Sequence, residues 1–389
     1  MKIKQRNMNQ LRSYASSLRV VKTFRAEKWR RRAASQMLPK REAIRAENDA
    51  AQRRALVSSR KKRDPAVAGW EQQLSASGSS LQTAEDMIWY RLAYGFTFHE
   101  YRCYAFSDKT PEERLAFFSD RESVLLSYRL NDLDAMSVFS DKWKTYCRFR
   151  QFYRREAVRI GSEDDFGAFC RFFGSHPVAI AKPSFGSCGN GVRKIDSSAA
   201  DIALREVFAE LLCGGETVLE EPIAQSEALA CFHPSSVNTV RIVTFCGAEG
   251  VRLLWAFLKT GRNGSLTDNG AAGGIMAGID IAGGIVTTDG VDEDGCRFTS
   301  HPDTGKLFAG SAVPDWENLK SLCLSAASLE PKVRMVGWDA AHTENGWVIV
   351  EGNAQSEMIG PQAVYGKGLR QEILNLLKEC RLPTDEYRA

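Results

Sequence analysis

The pattern of apolar residues changes near Pro177, and this change limits the folds that the chain can adopt. From Thr83 to about Phe173 the pattern is mostly helical and rich in aromatic residues. After Pro177 the chain reads as short apolar runs separated by tight turns, which is typical of a largely antiparallel sheet. We therefore predict an α+β fold in which a helical first part precedes the sheet.

Two β-hairpins are predicted in the second part of the chain. The turn of one contains Gly247 and Gly250, and the turn of the other contains Asn345-Gly346, a dipeptide that favours the tight turns of hairpins. The predicted strands are Val178–Ala181, Thr217–Leu219, Thr239–Cys246, Arg252–Lys259, Met335–His342 and Trp347–Glu351, and an amphipathic helix near Leu369–Cys380 follows them.

The charge of the chain is divided unevenly along its length. Residues 1–64 hold 20 Lys and Arg against 5 Asp and Glu, a balance of +15, so the chain total of +4 leaves −11 for the other 325 residues. This segment is either a basic arm that contacts an anionic membrane surface, an acidic polymer or a partner, or a solvated helical extension. It lacks regularly spaced stacking aromatics and a base-reading motif, so no specific nucleic acid is expected.

The division of the chain follows these changes in composition. A Ser/Gly stretch from Ser75 to Ser80 reads as a linker, so residues 1–80 are predicted to be a basic helical extension with its linker. Residues 81–175 are predicted to be a helical N-terminal region. The ten cysteines are scattered and form no CxxC pair, which favours a reducing compartment. We expect a cytoplasmic protein, with a peripheral position at the inner membrane surface as the alternative that the arm allows.

A glycine-rich segment follows the first apolar strand of the second part. In Lys182-Pro-Ser-Phe-Gly186-Ser187-Cys-Gly189-Asn-Gly191 the glycines allow backbone N–H groups to approach an anion closely, and Lys182 adds a positive charge. The segment is not a Walker A loop, because the lysine precedes the glycines. It predicts a phosphate-binding loop, whereas a glycine cluster alone is more often a plain turn.

Acidic and amide side chains occur on both arms of the second hairpin. Asp339 lies on one arm, and Glu351 and Asn353 lie on the other. Strand periodicity places Glu351 and Asn353 on one face, and the short turn brings Asp339 across from them. Their oxygen atoms are ligands of the kind that Mg²⁺ prefers. We predict a Mg²⁺ site here; the alternative is a charged, solvent-facing hairpin.

Two cationic side chains occupy the first hairpin. If Arg241 and Lys259 both face inward, they place positive charge over a triphosphate, and the guanidinium suits a developing phosphoryl or acyl-phosphate charge. The alternative interpretation of Arg241 is an ordinary surface arginine on a strand.

Taken in order, these segments resemble the sugar-transfer-associated group of the ATP-grasp superfamily. The resemblance runs from roughly Met87 to Lys367. Besides the segments above it includes Tyr94-Gly, Glu100-Tyr, Asp141-Lys142, Leu219-Glu-Glu-Pro-Ile223, Pro234-Ser-Ser-Val-Asn-Thr-Val-Arg241, Asp268-Asn-Gly and Gly337-Trp-Asp. It implies an ATP-grasp core over residues 176–380, in which ATP lies between two α+β subdomains that divide near residue 223.

The resemblance also implies a role for each matched residue. Phosphate contacts fall to Lys142 and Lys182, with the loop of Gly186, Ser187, Gly189 and Gly191 folded over them. The hinge against the adenine falls to Glu220, Glu221 and Ile223, mostly through backbone groups, and a ribose contact falls to Glu227. Arg241 and Lys259 are implied as the catalytic cations, and Asp339, Glu351 and Asn353 as the Mg²⁺ ligands. The D-alanine–D-alanine ligases carry an arginine where this chain has Gly337, so the reactive-phosphate role passes to Arg241.

The implied activity is an ATP- and Mg²⁺-dependent ligase that joins a carboxylate to an amine through an acyl phosphate. The substrate would be a small molecule, or a polysaccharide, glycopeptide or other peptide, or a secondary metabolite. Two alternatives stay open. One is a kinase on the same ATP site, with Asp268 or His233 as its base, and the other is a non-catalytic adaptor that binds nucleotide or an anionic polymer.

Overall fold

The computed structural model describes residues 43, 46, 47, 49–186, 189, 191–198 and 204–384. Most of the predicted basic arm lies outside these residues. The described end of the arm contains helix α1 (Ala50–Arg63), in which Val57 is buried and Lys61 pairs with Glu71 at 2.5 Å. This last stretch of the arm therefore packs against the helix that follows it.

The first part of the described chain is helical. The helices after α1 are α2 (Pro65–Ala76), α3 (Leu81–Tyr94), α4 (Phe98–Cys103), α5 (Pro111–Leu115), α6 (Asp120–Leu130), α7 (Met136–Phe139) and α8 (Lys142–Tyr153), with a short 3-10 turn at Phe106–Asp108. Local signals start several of them. Before α5, for example, Thr110 and Glu113 form a capping box, in which each side chain accepts from the other residue's backbone N–H. Within these described ranges no helix is long and apolar enough to cross a membrane.

A four-stranded antiparallel sheet follows. Its strands run in the order β1-β4-β2-β3, and two helices cover it through Phe169 and Phe208, which are fully buried beside Leu219. Its elements are β1 (Ala157–Ile160), the 3-10 turn Glu163–Asp165, α9 (Phe166–Ser175), β2 (Val178–Pro183), β3 (Arg193–Asp196), α10 (Leu204–Gly214) and β4 (Thr217–Glu220). This sheet begins at Ala157, before the boundary at residue 176 that the sequence suggested for the core.

A seven-stranded antiparallel sheet forms the other layer, in the order β11-β10-β5-β6-β7-β8-β9. On one face a row of Trp338, Ile242 and Ala256 packs against the long helix α12 (Trp316–Leu329). The elements are α11 (Glu227–Ala230), β5 (Thr239–Gly247), β6 (Gly250–Thr260), the 3-10 turn Gly270–Ala272, β7 (Ile275–Gly278), β8 (Gly290–Asp292), β9 (Arg297–Phe298), α12 (Trp316–Leu329), β10 (Met335–Thr343), β11 (Gly346–Asn353), α13 (Ile359–Tyr365) and α14 (Arg370–Glu379).

The predicted α+β fold is confirmed, including both hairpins and the final helix. The tight turn between β10 and β11 places Gly346 at φ +90°, a conformation that favours glycine. Strand β1 was not predicted, because Ala157-Val-Arg-Ile160 is too short to show alternation and lies between helical patterns. Its partner is β4, whose Thr217 pairs with Ile160. The pairing depends on residues far away in the sequence, which local patterns do not reveal.

Candidate functional site

A row of side chains crosses the second sheet on the face opposite α12. Asp339 of β10 lies directly opposite Glu351 of β11 on one side and Arg241 of β5 on the other. Arg241 lies opposite Phe257 of β6, two residues before Lys259. Residues paired across antiparallel strands, and residues two apart in one strand, share a face. The structure therefore brings the predicted catalytic cations together with two of the predicted metal ligands.

Asp339 is buried in the middle of this row and is held by both cations. Arg241 Nε donates to its Oδ1, Arg241 Nη2 donates to Oδ2 at 2.7 Å, and Lys259 Nζ donates to Oδ2 at 3.1 Å. Burial by itself raises the pKa of Asp339, but the charges of Arg241 and Lys259 outweigh it and hold that pKa well below its usual value. Burial opposes charge on Lys259 too, yet Asp268 and Asp339 raise its pKa. The cations and Asp339 are therefore all charged near neutral pH.

Gly337 leaves the space that the Arg241 side chain occupies. A Cβ atom built on Gly337 would lie 3.2 Å from Arg241 Cδ and 3.0 Å from Ser356 Oγ. A side chain at residue 337 would therefore push against the Arg241 side chain. Glycine at residue 337 therefore makes room for the side chain of Arg241, which an arginine at residue 337 would displace.

A second ionic cluster joins the two sheets. Glu220, at the end of β4, is buried and accepts from Lys182 Nζ at 2.8 Å and from Arg155 Nε and Nη2 at 3.0 and 2.8 Å. Arg155 also donates to the backbone oxygen of Ile349 in β11 at 2.7 Å. Burial raises the pKa of Glu220, but Arg155 and then Lys182 outweigh it and lower that pKa to about 2. This cluster fixes the end of the first sheet against the second.

We expect Arg155→Met to lower the free energy of unfolding by about 3–5 kcal/mol, because it leaves the buried carboxylate of Glu220 with Lys182 as its one cation among the described residues. Denaturant unfolding measures the loss, and Arg205→Met, which removes an exposed pair with Glu163, is the control. The pKa of Glu220 is lower in the folded state than its ordinary 4.5. Its stabilising contribution is therefore complete above about pH 4.5 and lost as the pH falls towards 2. Equal stability of Arg155→Met and wild type at pH 7 would contradict this role.

The glycine-rich loop lies beside these clusters. Lys142 Nζ, at the start of α8, donates to the backbone oxygen of Gly186 at 2.9 Å. Gly186, Gly189 and Gly191 have φ of +134°, +68° and +76°, which favours glycine at each position. A Cβ on Gly189 would lie 2.7 Å from Asn269 Nδ2, so the loop reaches the segment after β6. Ser187, predicted in this loop, lies outside the described residues.

Two cavities meet at this place. The large cavity, of about 550 Å³, extends between the two sheets and is lined by residues such as Ile180, Glu221, Ile223 and Asp339. The small cavity, of about 220 Å³, extends towards the helical region. Both cavities are lined by Lys142, Lys182, Gly186, Glu220, Asn269, Val350 and Glu351. The two cavities are therefore continuous at the end of the site that carries Lys142, Lys182 and Glu351.

The predicted hinge residues differ in their placement. Glu221 and Ile223, for which an adenine contact is predicted, both line the large cavity. The Glu221 N–H already donates to the backbone oxygen of Glu156 at 3.0 Å, and the Glu220 carboxylate is paired with Arg155 and Lys182. Glu227 is exposed on the one-turn helix α11. It is not one of the described residues that line either cavity. The structure therefore does not bring the predicted ribose contact to the site; Gln225 lines the cavity nearby.

The predicted metal ligands offer oxygen atoms that suit Mg²⁺. Asn353 Nδ2 donates to Glu351 Oε1 at 3.1 Å, which leaves the Asn353 carbonyl oxygen free to coordinate. Asp339 accepts three hydrogen bonds from the two cations, and a carboxylate has about four acceptor positions, so one remains on Oδ1. Among the described residues, there is no group of three or more His, Cys, Asp or Glu side chains that could hold a metal ion without other ligands. Two carboxylates and one amide fit an ion that takes its other ligands from phosphates and water.

Sequence reasoning missed several residues that the tertiary structure brings here. Arg155 had no local signal, since its partners lie 65 and 194 positions away. Glu293 and Glu357 of the small cavity lie in loops without a recognisable motif. His233, a suggested kinase base, is buried with its Nδ1 2.8 Å from Ser236 Oγ and does not line either cavity within the described residues. Asp268, the other suggested base, does line the large cavity.

Comparison with known proteins gives one family match. The family model described as sugar-transfer associated ATP-grasp matches residues 174–378. No curated protein sequence matches the chain.

Solved structures that are similar include two ligases and a synthetase, all at low sequence identity. A D-alanine-D-alanine ligase from Coxiella burnetii is 10% identical with a TM-score of 0.40, covering 66% of this chain and 61% of that one. An N5-carboxyaminoimidazole ribonucleotide synthetase in an ADP complex is 11% identical with a TM-score of 0.41, covering 65% and 54%. The ATP-grasp ligase PsnB with its minimal precursor is 14% identical with a TM-score of 0.41, covering 64% and 63%. The matched part thus spans 54–63% of the length of these three chains.

Proposed function

Because this chain belongs to the sugar-transfer-associated ATP-grasp family, we propose that it is an ATP-dependent ligase that joins a carboxylate to an amine. The observation that carries the proposal is the meeting of the two cavities at Lys142, Lys182 and Glu351. The large cavity would hold ATP, and the small cavity would hold what reacts with its γ-phosphate.

The phosphates would be held by cationic side chains whose positions are already fixed by ion pairs within the protein. Lys182 is fixed by Glu220, and Arg241 and Lys259 are fixed by Asp339. Cations held in a partly buried site stabilise charge that develops during phosphoryl transfer more strongly than mobile ones in water. The glycine loop adds backbone groups above the same phosphates.

The proposed chemistry has two steps. A substrate carboxylate oxygen attacks the γ-phosphorus, the bond to the β-phosphate oxygen breaks, and an acyl phosphate and ADP result. An amine nitrogen then attacks the acyl carbon, inorganic phosphate leaves, and the nitrogen loses a proton to give the amide. Arg241 would orient the transferred phosphoryl group, and Asp339, Glu351 and Asn353 would hold Mg²⁺. That ion, when bound, neutralises phosphate charge.

The test exploits the trapping of acyl phosphates by hydroxylamine. The protein is incubated with Mg-ATP, a panel of carboxylates and hydroxylamine, and hydroxamate and ADP are measured. A ligase gives hydroxamate in step with ADP for at least one carboxylate. A stable phosphoester on a hydroxyl-bearing panel would instead indicate a kinase with Asp268 as its base. Nucleotide binding without turnover on either panel would indicate the adaptor, and either result would overturn the ligase proposal.

Lys182→Ala is expected to weaken ATP binding by roughly 10- to 100-fold, because it removes a charge-assisted contact worth about 1.5–3 kcal/mol. Isothermal titration with a non-hydrolysable ATP analogue measures the dissociation constant. Lys144→Ala is the control, since Lys144 is an exposed lysine in the first turn of α8 that pairs with Asp141. An unchanged constant for Lys182→Ala would move the phosphate site elsewhere.

A further inference from the structure

A third cavity, of about 360 Å³, lies among the helices of the first part of the chain. It is lined by residues of α1, α3, α4 and α5, and it shares no described lining residue with the large or the small cavity. We call it the helical cavity. Its volume is in the range of sites that hold small molecules. The proposed ligase reaction makes no use of it.

The described lining of the helical cavity holds three arginines and two carboxylates, so positive charge exceeds negative charge by one. The carboxylate of Asp86 is already compensated. Its Oδ1 accepts from Arg53 Nη1 at 3.3 Å, and its Oδ2 accepts from Arg114 Nη1 at 2.7 Å and from Tyr101 OH at 2.5 Å. Arg54 is exposed and forms no ion pair with a described residue. Guanidinium groups are therefore left over for a ligand that carries negative charge.

Arg114 is the most buried of the three arginines, with 8% of its surface exposed. Its guanidinium carbon lies 4.9 Å from the centre of the Tyr90 ring and 5.6 Å from that of the Tyr101 ring, and these contacts fix its orientation. Nη1 is bonded to Asp86, but Nε has no hydrogen-bond partner among the described residues. Buried polar atoms normally have a partner. The unpaired donor of a buried arginine that lines a cavity therefore points to an acceptor on a ligand.

Two long helices begin at the helical cavity. Ala50 and Arg53 belong to the first turn of α1, and Gln82 and Thr83 belong to the first turn of α3. Each of these helices has 14 residues. The N-terminus of an α-helix carries a partial positive charge, because its first N–H groups lack acceptors within the helix. Both helices therefore add to the attraction that the arginines exert on an anion.

The other polar groups of the helical cavity suit hydroxyl groups. Glu85 forms no ion pair with a described residue, so its carboxylate oxygens are acceptors for hydroxyl donors. The amide of Gln82 offers both a donor and an acceptor. A ligand that only carries negative charge would be repelled by Glu85. A ligand that carries hydroxyl groups beside the negative charge would use both kinds of residue.

We propose that the helical cavity binds a small phosphate ester that also carries hydroxyl groups, the class to which sugar phosphates belong. The phosphate would contact the three arginines, and the hydroxyl groups would contact Glu85 and Gln82. A phosphate matches this set because it accepts several hydrogen bonds at once and pairs well with the planar guanidinium. The site is independent of the ATP site and of the ligase reaction.

The test divides the proposed ligand into its two halves. Glucose 1-phosphate and glucose 6-phosphate are titrated calorimetrically into the full chain, beside glucose, which lacks the phosphate, and inorganic phosphate, which lacks the hydroxyl-bearing ring. We expect at least one ester to bind about tenfold or more tightly than both halves, because charge-assisted contacts and hydroxyl contacts then act together. The same titrations of Lys182→Ala should give the same constants, since Lys182 belongs to the ATP site.

The variant R53M/R54M removes two of the three guanidinium groups from side chains that lie at the surface of α1. It should weaken binding of the ester by about tenfold or more. The control is K62M/R63M, which removes the same charge from exposed residues of the same helix that do not line the cavity. The control should keep the affinity within about twofold. Arg54→Met alone, which breaks no ion pair with a described residue, should weaken binding in the same direction.

Glu85→Ala separates the two kinds of contact. It removes a negative charge, so inorganic phosphate should bind more tightly than it does to the wild type. It also removes an acceptor for hydroxyl groups, so the advantage of the ester over inorganic phosphate should narrow by about threefold or more. A residue with a purely structural role would change both affinities in the same direction.

Each contrary result is specific. If glucose binds as tightly as the esters, or if R53M/R54M keeps the affinity, the phosphate does not bind in the helical cavity. If Lys182→Ala loses the esters, they bind in the ATP site instead. If inorganic phosphate binds as tightly as both esters, the hydroxyl contacts are wrong and the assigned class of ligand with them.

Discussion

Arg241→Met is expected to lower the rate of ADP formation with Mg-ATP by about 10²–10³-fold, because the proposed mechanism uses the Arg241 guanidinium to orient the transferred phosphoryl group. Among the described residues, the same change leaves the buried carboxylate of Asp339 paired with Lys259 alone. The free energy of unfolding should therefore fall by about 3–5 kcal/mol. Steady-state ADP release and denaturant unfolding measure the two effects.

A matched control exists in the same sheet. Arg252→Met makes the same substitution on β6 and removes a pair with Glu379 at 2.5 Å, but its side chain is 41% exposed and lies away from both cavities. It should change the rate little and cost far less stability, since exposed ion pairs contribute about 0–1 kcal/mol. Normal ADP formation by Arg241→Met, measured below its unfolding temperature, would remove Arg241 from the reaction.

Glu351→Gln is expected to reduce turnover by about two to three orders of magnitude with a much smaller effect on folding. Glu351 lines both cavities, and its half-exposed carboxylate is in contact with Asn353 rather than with a buried cation. Glutamine keeps the size of the side chain and its contact with Asn353, but removes a charge that would hold Mg²⁺. ADP formation and the binding of Mn²⁺ in the presence of ADP, followed by electron paramagnetic resonance, measure the two consequences.

Glu344→Gln serves as the control for that variant. Glu344 is exposed in the turn of the same hairpin, so the substitution is chemically identical but remote from the cavities. It should turn over and bind Mn²⁺ like the wild type. Wild-type turnover and Mn²⁺ affinity in Glu351→Gln would exclude Glu351 as a metal ligand.

The position of Asp339 links these two predictions. Its carboxylate is paired with Arg241 and Lys259, yet it is also a predicted metal ligand with one acceptor position left. A triphosphate that attracts Arg241 and Lys259 would free further acceptor positions on Asp339. We therefore expect Mn²⁺ to bind more tightly with nucleotide than without it, and the same resonance measurement reads this difference.

Local features of the sequence determined the secondary structure and the order of the motifs. The Asn345-Gly346 turn predicts the hairpin of β10 and β11 because the tight turn needs positive φ angles that glycine adopts at little cost. That hairpin, in turn, sets Asp339 opposite Glu351, so this part of the site could be predicted from strand periodicity and turn length alone.

The partners of the charged residues were decided only by the tertiary structure. Glu220 was predicted as a backbone contact at a hinge, but the packing of two sheets places its carboxylate between Arg155 and Lys182. Likewise, the charge of Glu357 raises the pKa of Glu293 and of Asp120 only because the fold brings a loop, a turn and a helix together. Turns and strands follow from interactions among neighbouring residues. Charge pairs and cavities depend on distances across the fold, which the order of the residues does not state.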